Sequence, residues 1–482
     1  MRSTFTTTTT LGAALLLPSL AFSQSSGCGP APSNGIRPSI ASGYTYQVVA
    51  TGLSRPRGIH IDTEGNLLVV ERGKGAVTAH TLEEENGCVS IASSTDVTGD
   101  IDLNHGIELS PDGTTLYASN SDDMFSWTYD PSTRTVSNRN TLITNLTGVG
   151  HSTRTLLLSR KTEGMMVVSK GSMENIDILA YDVSTGSSQV KAFNLTNVTD
   201  PYDYNNEGLL MGWGLRNEVG IGEHPESGGI WGIENSADEL FRHGVDIHRN
   251  NPAEKINFLG YLDGTEYEYQ GANFGYPWCF PVWEVDELPQ NENLTVGSQF
   301  AIDSTPEANG QNRTDEYCAE TAPPRLSFQA HMAPLDIKFN NSGQEAWIAW
   351  HGSWNRDDPV GYALSVVSWE QDGEPTDPPD SMTAKTDIFG NEDLSRCPGN
   401  CHRPVAMAID AQGRIYLTSD SSGEIYLITK LEESDDGGDG DGDGDGDGGS
   451  GEPDIAGLPL HGQARLCGLV ACLLSVLAFF VW

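Results

Sequence analysis

Gly58–Arg72, GIHIDTEGNLLVVER, is a short apolar strand, a turn holding Gly65, and a second apolar strand. Alternating apolar positions around a Gly-containing turn are the signature of a β-hairpin. The pattern returns at Gly106–Asn120 (GIELSPDGTTLYASN), Thr155–Lys170 (TLLLSRKTEGMMVVSK) and Val219–Asn235 (VGIGEHPESGGIWGIEN). It returns again at Leu335–His351 (LDIKFNNSGQEAWIAWH) and Val405–Ser419 (VAMAIDAQGRIYLTS). Six copies predict an all-β chain, a six-bladed β-propeller with loop insertions. Tyr44–Ala50 (YTYQVVA) is a further alternating strand, expected to pair with Glu424–Ile428 and close the ring, which removes exposed edges. The gap between the fourth and fifth copies is the longest. It reads as blade strands plus a lid-like insertion, with a seventh blade as the weaker alternative.

A hairpin returns to the edge it left, so the residues before its first strand and after its second lie at one end of the sheet. In a propeller that end is the mouth of the central channel. The leading flanks are Arg57, His105, His151 with Arg154, Arg216 with Asn217, His331, and His402 with Arg403. The trailing flanks are Arg72, Asp122, Lys170, Glu234 with Asn235, His351 with Arg356, and Asp420. The chain has 27 Lys and Arg against 67 Asp and Glu, a formal charge of −40. That balance argues against nucleic acid as a partner. Scarce cations gathered at one mouth imply a bound anion, a polycarboxylate or a phosphate.

The ends carry different information. Arg2, the apolar run Leu11–Leu20 and Ala21-Phe22-Ser23 form a secretion signal over residues 1–23. The globular domain then spans 24–431, an acidic Asp/Gly linker 432–454, and a hydrophobic tail 455–482. The linker cannot form a core and is expected to be disordered and extended. Its Asp441, Asp443, Asp445, Gly446 and Glu452 match EF-hand spacing only because Asp and Gly alternate there. Small residues, a spacer and an apolar end with no basic segment behind it have the order of a GPI-attachment signal, its attachment residue open within about three positions. Six sequons, at Asn145, Asn194, Asn197, Asn293, Asn312 and Asn340, agree with an extracellular, surface-anchored protein. Of eight cysteines, Cys467 and Cys472 fall in the tail. The other six are expected to pair as Cys28–Cys88, Cys279–Cys318 and Cys397–Cys401, as suits an oxidising compartment. Tyr276, Trp278, Phe280, Trp283 and Trp354 are candidates for a sugar-stacking wall.

Three function classes suit a basic propeller mouth. A binding module needs no general base. A calcium-dependent lactonase needs carboxylate and Asn ligands and few arginines. A quinone-dependent dehydrogenase needs cations for cofactor carboxylates, a calcium site and a neutral histidine. The residue mix favours the third. The motifs GLSRPRGI, GHSTRT, WGLRNEVG, IENSADEL, NFGYPWC, WHGSWNR and CHRPVAMA resemble, in this order, those of the PQQ-dependent sugar dehydrogenases. That family includes soluble glucose dehydrogenase, sorbosone dehydrogenases and fungal pyranose dehydrogenases, and the resemblance covers Tyr44 to Leu431.

The resemblance implies a six-bladed propeller that oxidises a sugar with PQQ and Ca2+. It makes His151, in GHSTRT, the general base. It gives Arg216 charge stabilisation on the quinone oxygen and Asn217 a hold on the cofactor. Asn235, Ser236 and Asp238 match the calcium loop, and Arg356 and Arg403 would pair with PQQ carboxylates. Arg57, His105, Lys170, His351 and His402 join the cofactor-binding set by position. Two departures stand out. Arg154 lies closer to His151 than in the bacterial soluble enzymes, and the IENSADEL loop is shorter than its bacterial counterpart. No haem domain or cellulose-binding module is recognisable, so the electron acceptor is expected to be a separate partner, a secreted cytochrome, a copper enzyme or a quinone.

Overall fold

The computed structural model describes residues 27–431 apart from 34, 149 and 304–312. All of these belong to one compact unit, Met1–Glu433. The secretion signal, the sequon at Asn312, the acidic linker and the hydrophobic tail lie outside the described residues.

The expected hairpins are the inner halves of six sheets of four or five strands, antiparallel except for Tyr202–Asp203 at the outer edge of the second. Their innermost strands are Pro56–Ile61, Ile107–Leu109, Leu156–Leu158, Glu218–Glu223, Pro334–Phe339 and Pro404–Ile409. Each packs against the next, and the last returns to the first, closing a ring around the central channel. Blades are numbered here from Pro56–Ile61. Blade six is completed by Tyr44–Ala50, whose Tyr44 pairs with Lys430 and Ala50 with Ile425, the closure expected from the sequence. Pro38–Ile40 adds an outer strand to blade five. The described residues contain no seventh blade. The long gap supplies Glu254–Gly260 and Leu326–Phe328 to blade four, and part of the rest packs against the IENSADEL loop.

Alternating side chains put one apolar face of each sheet against its neighbour. Separate buried clusters fill the seams, for example Trp231, Phe258, Ile337 and Trp350 between blades four and five. Leu68, Val70, Leu116 and Trp127 fill the seam between blades one and two. Each large apolar side chain removed from water contributes about 1.5–3 kcal/mol. The seams thus hold the ring, while polar residues at the strand ends are left to the mouth.

Two glycines let the inner strands meet there. A Cβ on Gly58 would lie 1.9 Å from the His105 carbonyl oxygen, and one on Gly106 would lie 2.3 Å from the Arg154 carbonyl oxygen. No other residue permits such a backbone approach.

The insertion has its own small core. Tyr276, Phe280 and Phe300 pack with Ile176 and with Ala237 and Leu240 of the IENSADEL loop. The insertion therefore grips the loop expected to hold calcium. The disulfides Cys28–Cys88, Cys279–Cys318 and Cys397–Cys401 form as expected.

Candidate active site at the channel mouth

The flanking residues gather at the mouth in two groups. The first joins blades one, five and six. Asp420 accepts from Arg57 Nη1 at 2.9 Å and lies 2.8 Å from His351 Nε2. Arg403 donates from Nε to the His351 carbonyl at 3.0 Å and from Nη2 to the Gly352 carbonyl at 2.7 Å. Burial alone would raise the Asp420 carboxyl, but His351 and Arg57 outweigh it and hold it well below the carboxylate range. His105 is buried, and burial with the Arg57 charge drives its pKa far down. Arg57 Nε and His105 Nδ1 are buried without a hydrogen-bond partner among the described residues. An unsatisfied buried guanidinium N–H at the centre of a basic cluster fits a ligand rich in carboxylate oxygens.

The second group joins blades three, four and five. His151 Nδ1 lies 2.9 Å from both the Ser172 carbonyl oxygen and its Oγ. The carbonyl can only accept, so Nδ1 carries the proton and Nε2 keeps its lone pair. Burial, followed by the nearby Arg216 charge, pushes the His151 pKa down to about 3. Asn217 stands beside it, since a Cβ on Gly171 would meet Asn217 Oδ1 at 2.6 Å and His151 Cβ at 2.8 Å. Arg154 is fully buried and donates to the His151 carbonyl at 2.7 Å and the Leu146 carbonyl at 2.9 Å. It is a strut beneath the histidine loop.

Arg216 is a clamp. Its Nε and Nη2 donate to the Asn175 carbonyl and Oδ1, and its Nη1 donates to the carbonyls of Asn235 and Ser236 at 3.2 and 2.6 Å. Asp238 lies 3.0 Å from both His331 Nδ1 and Asn355 Nδ2. Glu254, its pKa pushed up to about 7 by burial, accepts from the Ser236 and Ala333 amides.

Ser236 Oγ and Asn355 Oδ1 are buried without partners among the described residues. The Asp238 carboxylate and the Asn235 and Ser236 carbonyls, which also accept from Arg216 Nη1, belong to the same loop; all are oxygens, the donor type calcium prefers.

Three expected residues do not reach the mouth. Lys170 is buried among Asn145, Asn205 and the Tyr204 ring, its Nζ donating to the Asn145 carbonyl at 3.1 Å. His402 turns outward to the Ile36 carbonyl and the Tyr426 hydroxyl. Neighbours on an extended chain face opposite ways, so only Arg403 of that pair turns in. Arg356 bonds to the Arg249 carbonyl, Asn250 Oδ1 and the Asp358 carbonyl on the outer loop. The aromatic wall also differs from expectation. Tyr276, Trp278 and Phe280 are buried in the insertion, whereas Trp354 is 63% exposed. Asn175, Ser172, Glu254 and Asn355 were not singled out in the sequence, and they sit in loops or blade interiors with no repeat to mark them. Asp420 was marked as a flank only.

Residues 38–431 match the TrAA12-like family. A pyrroloquinoline quinone-dependent sugar dehydrogenase of Hypocrea jecorina (strain QM6a) is 43% identical over 407 residues, 83% of this chain and 90% of the relative. A pyrroloquinoline quinone-dependent pyranose dehydrogenase of Coprinopsis cinerea is 39% identical over 423 residues, 84% of this chain but 56% of the relative. The chain thus spans about half the length of that second protein. The holo form of the pyranose dehydrogenase PQQ domain from Coprinopsis cinerea superposes with a TM-score of 0.76 at 38% identity, covering 84% of this chain and 99% of the domain.

Proposed function

This chain belongs to the TrAA12-like family, and from that membership and the basic mouth we propose that it is a PQQ-dependent sugar dehydrogenase. Its substrate is a pyranose, aldose or keto-sugar, oxidised at the anomeric carbon. The observation that carries the reading is the pairing of two opposed features in one mouth. One is an arginine cluster in which Arg57 Nε is a buried donor with no partner among the described residues. The other is a neutral histidine, His151, with one ring nitrogen fixed by Ser172.

Bound PQQ supplies the two-electron acceptor for the anomeric C–H, and calcium supplies positive charge beside it. The protein's own residues do the rest. Arg57 and Arg403 hold cofactor carboxylates. Asn235, Ser236 and Asp238 offer oxygen ligands to calcium, and the Arg216 clamp holds their loop in place. His151 Nε2 takes the proton of the C1 hydroxyl as that carbon is oxidised to the lactone level.

Electrons then leave to an external acceptor. We place the protein outside the cell on a C-terminal lipid anchor, supported by its secretion signal and apolar end. The three disulfides and the exposed sequon residues Asn145, Asn194, Asn197 and Asn293 support the same placement. The binding-module alternative is disfavoured because most of the expected aromatic wall is buried in the insertion.

The test is reconstitution. PQQ titrated into metal-free protein, with and without calcium, is followed by its absorbance shift and by dye reduction over a panel of aldoses and keto-sugars. Saturable binding that calcium tightens, with sugar-dependent turnover, is expected. No PQQ binding with either metal state overturns the assignment.

The pH profile gives a second check. A histidine base works only when deprotonated, and the His151 pKa is lowered to about 3. Above that value it stays in its active form. The acid limb of kcat/KM should therefore fall below about pH 5 rather than at the ordinary histidine value of about 6.5. A limb centred at 6–7 that survives every substitution except at His151 would show that its lone pair is not held free as described.

A further inference from the structure

We propose that PQQ binding draws one proton from solvent onto His351, whose imidazolium then bridges Asp420 and a cofactor carboxylate. The proposal rests on the reading of the mouth as a PQQ site.

The argument is one of lone pairs. His351 Nε2 lies 2.8 Å from Asp420 Oδ1. An ionised carboxylate only accepts, so at that distance Nε2 must carry the hydrogen. In the neutral ring Nδ1 is then a bare lone pair. It makes no hydrogen bond among the described residues, and the side chain keeps 19% of its surface open. A carboxylate arriving there would meet a lone pair. Only the doubly protonated ring donates to both anions.

The surroundings set the free state. Arg57 and Arg72 of blade one, His105 before blade two, and Arg403 and Asp420 of blade six face this corner. Burial first, then the arginines, keep the His351 pKa below its ordinary value despite Asp420. The free protein is therefore mostly unprotonated at His351 near neutrality. An added carboxylate raises the pKa in the bound state. Between the two values, binding takes up a proton and affinity weakens by about tenfold per pH unit as pH rises. Below the lower value and above the upper one, this group contributes no slope.

The experiment is calorimetric titration of PQQ into the full-length protein with saturating calcium. At pH 7 it is run in two buffers of different ionisation enthalpy, with absorbance titrations from pH 5 to 9. About one proton taken up per PQQ is expected, and this uptake should be lost in His351→Gln. Asp420→Asn should also lose it, and thermal melts report whether each variant folds. If PQQ binds with no proton uptake and a flat pH dependence, the bridge is wrong while the PQQ assignment stands. Uptake that persists in folded His351→Gln moves the proton to another group, such as His105, and also overturns it. No binding in the parent protein refutes the function itself.

Discussion

Replacing His151 with alanine is expected to lower kcat/KM for the sugar by about 10²–10⁴-fold, the range for loss of a general base. PQQ affinity should change by less than about fivefold, because the cofactor-carboxylate donors assigned above, Arg57 and Arg403, lie in the other group. The structure sharpens this expectation. The His151 ring is held through Nδ1, to Ser172, and no carboxylate hydrogen-bonds to it among the described residues. Its base strength thus depends on burial and on the nearby Arg216 charge rather than on a hydrogen-bonded ion pair. His151→Gln keeps a polar group of similar reach but cannot take the proton. It should be about as impaired as His151→Ala in turnover while binding PQQ normally. Either variant keeping more than about a tenth of parental kcat/KM would remove His151 from the reaction. Stopped-flow reduction of the bound cofactor by sugar makes the measurement direct, since it excludes reoxidation by the external acceptor.

The architecture was legible because a propeller repeats. Six hairpins share strand length, turn and apolar alternation, so blade number and ring closure followed from Gly58–Arg72 and its copies. Hairpin parity also showed which end of each strand faces the mouth, and it placed Arg57, His105, His151, Arg216, His351 and Arg403 there. Parity marks the end of a strand but does not give the direction of each side chain. Lys170 closes a strand at the mouth, yet its ammonium is drawn over the Tyr204 ring and to the Asn145 carbonyl. His402 and Arg403 are neighbours with opposite directions. The residues that orient the site were the hardest to foresee. Asn175 and Asn355 lie in loops outside the repeat, and their roles come from contacts closed across 41 and 117 positions of sequence. Trp354 shows the same limit from the other side. Tyr276, Trp278 and Phe280 are buried in the insertion, and nothing in their local sequence separates the exposed ring from these buried ones.

Arg216→Ala is expected to act on the fold of the mouth as well as on turnover. Arg216 is 5% exposed, and its guanidinium satisfies the carbonyls of Asn175, Asn235 and Ser236 together with Asn175 Oδ1. Its backbone amide is held in turn by Glu234 at 2.9 Å. Removing the side chain takes the donor from the Asn235 and Ser236 carbonyls, leaves the Asn175 carbonyl and Oδ1 to the Tyr276 hydroxyl and the Asp238 amide, and leaves Asp238 with one cation fewer nearby. Breaking a buried charged network of this kind costs about 3–5 kcal/mol, a large share of the roughly 5–15 kcal/mol that holds an ordinary domain. The melting temperature should therefore fall clearly. Arg216→Lys should recover little of it, because a single ammonium cannot reproduce a fork that reaches two loops at once. The distinguishing result is calcium. If the clamp shapes the Asn235–Asp238 loop, excess calcium should raise the melting temperature of the parent more than that of either variant, since a ligand stabilises only a site already formed. PQQ affinity should then fall in both variants while remaining intact in His151→Ala. If Arg216→Ala melts at the parental temperature and binds PQQ with parental affinity, Arg216 is not the element that ties the two loops, and its part in the chemistry is charge alone.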